Sequence, residues 1–329
     1  MPFATQATNF SLIEGLAAAN TTFETAYAEL YSQTLPGVYS QYTRVISGNT
    51  MSLDLRWTTN NPMMRKWLGS RIQKYVRAYQ QSYVLEKYEA TLPIARMLLE
   101  YNNNMNLIGD TVSNFVGGAA SAYDSACATA LDSNTGAGPT CFDGGSLFNA
   151  SHPHGPSAGV QSNLGAGINL SWVNFDAART AMSQLKFENG EPAQIRPTHI
   201  RVGPKLETRA KEIVGAEQRI TAYSSAGVQD AVASVVAAAP IVNIWHGELD
   251  VIVDQRITNY YWDLYDLSKP GVKPIVLYEG RKPIPIHLDK MTDLPRYFND
   301  DFIFGLEGDF TVGGGMWMTG YRATGTALG

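Results

Sequence analysis

The two histidines of His152-Pro153-His154 are the residues whose spacing best fits metal binding. Imidazoles two positions apart point to the same side of an extended strand, and the nearby Asp143 would add an oxygen ligand. A zinc site requires three or four ligands, however, and the other three histidines of the chain lie in separate predicted strands. The sequence therefore favours a proline-fixed turn, and a metal-dependent enzyme using His152 and His154 is kept only as a remote alternative.

Cysteine chemistry has less support still. Cys141 has no basic neighbour and lies two positions from Asp143, whereas a reactive thiolate needs an electropositive site. Cys127 falls on the apolar face of a predicted helix, as a core residue would. Two cysteines can form neither a disulfide scaffold nor a four-thiolate zinc site.

The glycine-rich segments near the C-terminus do not fit a phosphate-binding loop. Gly313-Gly314-Gly315 is followed by Met316-Trp317-Met318 and not by the Lys-Ser/Thr of a phosphate-binding loop, which indicates a turn or bulge. The sequence therefore predicts no catalytic residue, no cofactor and no metal. This result favours a structural or binding protein.

The composition excludes further classes. Charged residues make up 17% of the 329 residues, against roughly 25% in an average soluble domain. A net charge of −5 gives no overall basic footprint for tight nucleic-acid binding. The most apolar stretch, Ala231 to Val242, is too short to cross a membrane, and the N-terminus lacks the basic start of a signal peptide. We expect a soluble protein, made in a cytoplasm, with a weakly charged surface suited to protein contacts.

Residues 1–60 are predicted to form an arm. Thr21-Thr22-Phe23-Glu24 is a capping-box pattern, and Phe23 and Tyr27 begin one apolar face of a helix. Leu35-Pro36-Gly37 ends that helix, and the following segment is extended in character. Because one helix and an extended segment cannot bury a core alone, the arm must lie on something else.

Residues 61–96 are rich in strand-forming side chains, which predicts a long β-hairpin. Its exposed edges would be a liability for a monomer, so we expect a neighbouring subunit to cover them.

Residues 103–131 predict one long helix, because apolar side chains recur there at a period of 3.6. Gly117 and Gly118 inside it each cost about 1 kcal/mol relative to alanine, which predicts the close approach of another element. A loop over residues 135–171 follows, and then a helix capped by Asn174. Mixed strands and short helices complete a chain of the α+β class.

In this setting the chain resembles the Mu-like phage major head subunits, the gpT family of coat proteins. Collinear motifs over roughly residues 40–325 carry the resemblance. They are Trp67-Leu68-Gly69-Ser70-Arg71, Tyr83 with Tyr88-Glu89, Ile94 and Arg96, Phe142-Asp143-Gly144 with Phe148 and His152-Pro153, Ser162-Asn163-Leu164, Asn174 to Arg179, Pro197-Thr198 with Val202-Gly203-Pro204, and Phe304-Gly305 to Gly315-Met316-Trp317.

The resemblance implies the Hong-Kong-97-type coat fold. Its parts would be an N-terminal arm (1–60), an extended β-hairpin loop (61–96), a peripheral domain (97–204) with spine helix 103–131, an axial domain (205–295) and a return to the peripheral domain (296–329).

Seven residues are then expected at assembly interfaces. Trp67 and Arg71 would anchor the base of the extended loop, with the Arg71 guanidinium able to grip a carboxylate through two hydrogen bonds. Tyr83, Tyr88 and Glu89 would line the loop where it contacts the adjacent subunit. Phe23 and Tyr27 would dock the arm.

The implied function is that of the major capsid protein of a tailed phage or prophage, which assembles into the hexamers and pentamers of an icosahedral shell. Its expected partners are further copies of itself, a portal, a scaffold or protease, and decoration proteins. The shell would enclose double-stranded DNA without sequence-specific binding and without a membrane, after assembly in the host cytoplasm. An encapsulin-like bacterial compartment, which uses the same fold, is the alternative.

Deleting residues 1–35 tests the arm. We expect a folded core that no longer closes shells, to be checked by circular dichroism and electron microscopy. If the deletion abolishes folding, the arm belongs to the core.

Overall fold

A computed structural model describes residues 12–32, 37–58, 64, 66, 67, 69, 78–97, 105–154, 158–222, 238–288 and 299–326. The helices are α1 (Leu12–Ser32), α2 (Tyr39–Tyr42), α3 (Met105–Ala120), α4 (Ala122–Gly136), α5 (Trp172–Ser183) and α6 (Glu207–Gly215). The strands are β1 (Thr43–Ser47), β2 (Ser52–Thr58), β3 (Ala78–Val84), β4 (Glu86–Ala95), β5 (His152–Pro153), β6 (Val160–Gln161), β7 (Leu164–Ala166), β8 (His199–Val202), β9 (Gln218–Ala222), β10 (Ala238–Val242), β11 (Asp250–Val253), β12 (Tyr260–Tyr265), β13 (Ile275–Leu288), β14 (Asp301–Gly314) and β15 (Gly320–Gly325).

Two sheets organise the chain. The first has the order β1-β13-β14-β4, with β1 parallel to β13 and the other pairs antiparallel. The second has the order β11-β8-β12-β15-β7. The pairs β2–β3 and β9–β10 form two-stranded antiparallel ribbons. The α+β class predicted from the sequence is confirmed.

Helices α1 and α3 cover one face of the first sheet. Phe23 of α1 is completely buried, with its ring centroid 5.5 Å from that of Phe304 and 6.3 Å from that of Phe115. The Tyr27 hydroxyl donates a hydrogen bond to the Pro283 carbonyl at 2.8 Å, and Glu24 lies 2.9 Å from His287. Phe23 and Tyr27 therefore dock α1 onto the body of their own chain.

The predicted spine helix is two helices joined at Ser121. The backbone N–H and the hydroxyl of Ser121 both donate to the carbonyl of Gly118, at 3.2 and 2.8 Å, so the last turn of α3 tightens and the helix breaks. The expectation that another element approaches the glycines closely is wrong for the described residues. A Cβ atom added at Gly117 or Gly118 would meet nothing within 4 Å.

The hairpin also differs from the expected one. Its first strand is β2, which begins at Ser52 inside the segment assigned to the arm, and its partner is β3. The later part of the expected hairpin is β4, which pairs with β14 of the first sheet instead. The aromatic and β-branched residues of 78–95 are thus divided between two sheets, which composition alone does not reveal.

A buried ionic cluster joins the central strands of the second sheet. Asp263 on β12 accepts two hydrogen bonds from Arg322 on β15, at 2.7 and 2.8 Å, and one from Arg201 on β8 at 2.9 Å. Arg201 also donates to Asp254 at 2.6 Å, and the Tyr265 hydroxyl donates to Asp263 at 2.9 Å. Burial acts to raise the pKa of Asp263, but the two guanidinium groups hold it below its usual value.

The substitution Asp263→Ala tests this cluster. It leaves two buried guanidinium groups short of a counter-charge, so the free energy of unfolding should fall by about 3–5 kcal/mol in urea titrations at pH 7. Because the folded pKa of Asp263 is depressed, its contribution is complete above the unfolded pKa of about 3.9 and is lost as the pH falls through the folded value. On acidification, the free energy of unfolding of the wild type should therefore fall toward that of the variant, which lacks the Asp263 carboxylate at every pH.

Asp250→Ala is the matched control, because the Asp250 side chain is 86% exposed on the neighbouring strand β11. An equal effect of the two substitutions would contradict the special role of the cluster.

Candidate assembly surfaces

The β2–β3 hairpin is held on the body of its own chain by aromatic side chains. Burial alternates along both strands, so one face of the hairpin is covered and the other is exposed. Trp57 and Tyr79 on the covered face place their rings 5.5 and 5.3 Å from that of Phe142. The Tyr79 hydroxyl also donates to Glu188. These four residues fix the direction in which the hairpin leaves the body.

Tyr83 contributes to the core beneath the hairpin. It is 3% exposed, and its hydroxyl donates to the Gly314 carbonyl at 2.6 Å. Its ring fills the space that a side chain at Gly313 would need, since a Cβ there would lie 2.6 Å from the ring. Burial raises the pKa of this phenol above its ordinary value, so the group stays neutral. Tyr83 therefore positions β3, and its role in a contact between subunits stays a prediction.

Tyr88 and Glu89 lie on opposite faces of β4. Tyr88 stacks on Phe310 of β14 with ring centroids 3.9 Å apart, beside the small side chains of α4. Glu89 is exposed on the other face and accepts a hydrogen bond from the Thr91 hydroxyl at 2.6 Å. Of the two, Glu89 is the one available to a partner.

The segment between β2 and β3 contains the remaining predicted residues. Trp67 is 63% exposed and Met64 is fully exposed. Arg71 lies outside the described residues, so its predicted grip on a carboxylate stays a prediction. The structure describes six of the seven predicted residues. Phe23 and Tyr83 are buried supports, Tyr27 and Tyr88 are partly buried supports, and Trp67 and Glu89 are exposed.

The paired histidines form part of a buried network. His152 Nδ1 lies 2.5 Å from Asp143 Oδ2, and its Nε2 lies 3.2 Å from Asn163 Oδ1. The Asn163 amide nitrogen donates to the carbonyls of Leu147, Trp317 and Gly320, which fixes its oxygen toward the histidine. Both ring nitrogens of His152 are thus directed at oxygen atoms of the chain's own side chains, and the ring is completely buried.

His154 is buried beside this network. Its ring meets Trp317 edge-on at 5.4 Å, whereas His152 stacks flat on the same indole at 4.1 Å. Burial lowers the pKa of His154, which keeps the ring neutral. No group of three His, Cys, Asp or Glu side chains in the described part of the chain is arranged to hold a metal ion.

Both thiols are buried as well. Burial raises the pKa of Cys127 to about 12, and it also raises the pKa of Cys141. Neither has the low pKa and the access that a nucleophile needs. Among the described helices, none is both long and apolar enough to cross a membrane.

Phe142→Ala tests how the hairpin is supported. Removing this ring should lower the free energy of unfolding by about 3 kcal/mol and should accelerate amide hydrogen exchange in β2 and β3 more than in β8 and β12. The exposed substitution Val173→Ala on α5 is the control. Equal acceleration in all four strands would show that Phe142 serves the general core and not the hairpin.

Comparison with known proteins agrees with this geometry. The chain is similar in structure to the procapsid subunit of bacteriophage JBD30, with 18% identity, coverage of 95% of this chain and 76% of that chain, and a TM-score of 0.50. It is similar to a chain of Mycobacterium phage Adephagia, with 11% identity, coverage of 92% and 98%, and a TM-score of 0.53. For the capsid of an empty GTA particle the identity is 11%, the coverage 89% and 92%, and the TM-score 0.51.

At such low identity these similarities establish the fold, which is the Hong-Kong-97-type coat fold. No curated protein sequence matches the chain. The family model described as Mu-like prophage major head subunit gpT matches residues 16–176 and 167–239, more than half of the chain. The chain therefore belongs to the Mu-like prophage major head subunit gpT family.

Proposed function

We propose that this protein is the major capsid subunit of a tailed phage or prophage and that it builds an icosahedral shell from hexamers and pentamers. The match of the chain to the head-subunit family carries the proposal. The same match favours a phage head over the encapsulin-like compartment, and it assigns the chain a structural role in the virion.

The surface of the subunit supports assembly. In the part of the chain that the structure describes, β4 is the last strand of the first sheet, with no strand on its outer edge. Met51, Met64, Trp67 and Met97 are large apolar side chains that are more than half exposed. Open strand edges and exposed apolar groups are liabilities that contacts with neighbouring subunits would remove.

The geometry of such contacts must be heterologous. A hairpin that leaves one side of the body contacts a different surface on the next copy, and a closed shell results when the rotation closes. Each contact can be weak, because every subunit makes several of them and multivalency multiplies their effect.

The division into arm, extended loop, peripheral domain and axial domain belongs to this proposal, with the extended loop now beginning at β2. So do assembly in the host cytoplasm, the enclosure of double-stranded DNA without sequence-specific binding, and the portal, scaffold or protease and decoration proteins as partners. The acidic net charge supports loose packaging, since a wall that repels phosphate does not grip the genome.

Electron microscopy of the concentrated protein, alone and from induced cells, tests the function. We expect angular shells or rings of five and six subunits, with light scattering that rises with protein concentration. A protein that stays monomeric in both samples would contradict the proposal. Circular dichroism is the control for folding, because an unfolded sample would fail to assemble whatever the function of the native protein.

A further inference from the structure

His154 is a buried imidazole with an unused ring nitrogen. The residue is 1% exposed, and its ring lies edge-on to the indole of Trp317. Its backbone N–H donates to the Gly159 carbonyl at 3.1 Å, which closes the turn between β5 and β6. Its Nε2 atom, however, has no hydrogen-bond partner among the described residues. A neutral imidazole tolerates this environment, because only one of its two ring nitrogens carries a hydrogen.

A proton on the ring would change what the site has to supply. An imidazolium has two N–H donors, so the Nε2–H of His154 would be a charged donor enclosed in protein without an acceptor. A buried charged donor that is left unpaired costs more free energy than a neutral one. The surroundings can respond by moving an acceptor to the ring or by admitting water. The structure therefore fits His154 in its neutral state only.

Three titratable groups act on His154. Glu188, in the turn after α5, and Asp143, in the loop before β5, favour a proton on the ring, whereas His152 on β5 opposes it. Burial outweighs the two carboxylates and lowers the pKa of His154. Both oxygens of Asp143 are already engaged, with His152 at 2.5 Å and with the Gly145 N–H at 3.1 Å. Glu188 is therefore the carboxylate that can respond to a charge on His154.

Glu188 also supports the hairpin. The residue is 4% exposed, and its carboxylate accepts the hydrogen bond from the Tyr79 hydroxyl that holds β3 on the body of the chain. Gln161 on β6 connects this support to the turn of His154, because its amide makes hydrogen bonds of 2.7 and 2.9 Å with the backbone of Lys186. Lys186 lies two residues before Glu188. The turn that carries His154 and the carboxylate that holds the hairpin thus belong to one connected unit.

We propose that His154 is an acid-sensitive switch for the support of the β2–β3 hairpin. When the ring takes up a proton, the packing at Trp317 loosens and Glu188 is drawn away from the Tyr79 hydroxyl, so that the hairpin is held less firmly. The inference concerns the single subunit and goes beyond the proposed function, because it makes the hold on the hairpin depend on pH.

The switch operates in mild acid. Because the folded pKa of His154 is depressed, the stability that the neutral ring provides is complete above the unfolded pKa of about 6.5. This stability is lost as the pH falls below that value toward the folded pKa, and acidification beyond the folded pKa removes no more of it.

Amide hydrogen exchange of the unassembled subunit at about pH 7.5 and about pH 5.5 tests the switch, with each rate divided by the intrinsic exchange rate at that pH. In the wild type, the protection of β2, β3, β5 and β6 should fall severalfold in acid. One proton with an unfolded pKa of about 6.5 limits the fall to about tenfold at pH 5.5. The central strand β12 should keep its protection.

His154→Gln assigns the effect, because the amide stays neutral at both pH values. This variant should show no fall in the protection of β2 and β3. The comparison is needed because burial also lowers the pKa of His199 on β8. Thermal melting at the higher pH confirms that the variant is folded.

Tyr79→Phe tests the connection through Glu188. Without the hydroxyl, β3 should be less protected at both pH values and should lose little more in acid, whereas β5 and β6 should respond as in the wild type. Tyr88→Phe is the matched control. The Tyr88 hydroxyl bonds to Glu86 at 3.2 Å on β4, so its loss should leave the acid response of all four strands unchanged.

Three results would overturn the inference. The first is a wild type whose hairpin is equally protected, or better protected, at the lower pH, and this result needs no variant. The second is the same acid response in His154→Gln, which would assign the effect to another group. The third is an acid response of β3 that persists in Tyr79→Phe at full size, which would show that Glu188 does not transmit it.

Discussion

The buried contact between Asp263 and two arginines is the interaction on which the rest of this subunit depends. It joins three consecutive strands of the second sheet, and it extends to the spine because Arg322 also donates to the carbonyls of Leu131 and Gly136, at 2.8 and 2.7 Å. Gly136 ends α4, and its carbonyl is one of the last four of the helix, which have no N–H partner within it. Leu131 lies in the turn before. One guanidinium therefore fixes the end of the spine to the sheet. The chain turns at Gly136 with a φ of +87°, a backbone conformation that glycine adopts without strain.

Some of the motif residues are buried and support the fold, whereas others are exposed on the surface of the subunit. The histidine motif is part of a buried network, in which Asp143 and Asn163 flank His152 and the indole of Trp317 lies against the histidine ring. This network connects the loop before β5 to the turn before β15. Several side chains that suggested chemistry from the sequence thus hold loops in place, whereas Glu89 and Trp67 are exposed at the surface.

Much of the fold could be predicted from the periodicity of apolar residues along the sequence. The rest depends on contacts between particular residues, which periodicity does not reveal. The apolar period of 103–131 locates both halves of the spine. The break at Ser121 depends on a hydroxyl bond to a carbonyl three residues earlier. The cap of α5 is Ser171, whose hydroxyl accepts from the Asn174 N–H, and not Asn174 itself. Asn163 is indicated only by the family motif Ser162-Asn163-Leu164, because a single amide side chain in a loop leaves no periodic pattern in the sequence.

The interruption at Ser121 has a consequence for the geometry of a closed shell. Subunits in rings of five and of six meet at different angles, so one sequence has to accept more than one curvature. An unbroken helix resists bending along its whole length, because every turn is held by its own hydrogen bonds. Two shorter helices joined at one serine concentrate any change of angle at a single residue and leave both ladders intact. Each half of the spine then stays rigid, and a change in the angle between the halves is confined to Ser121.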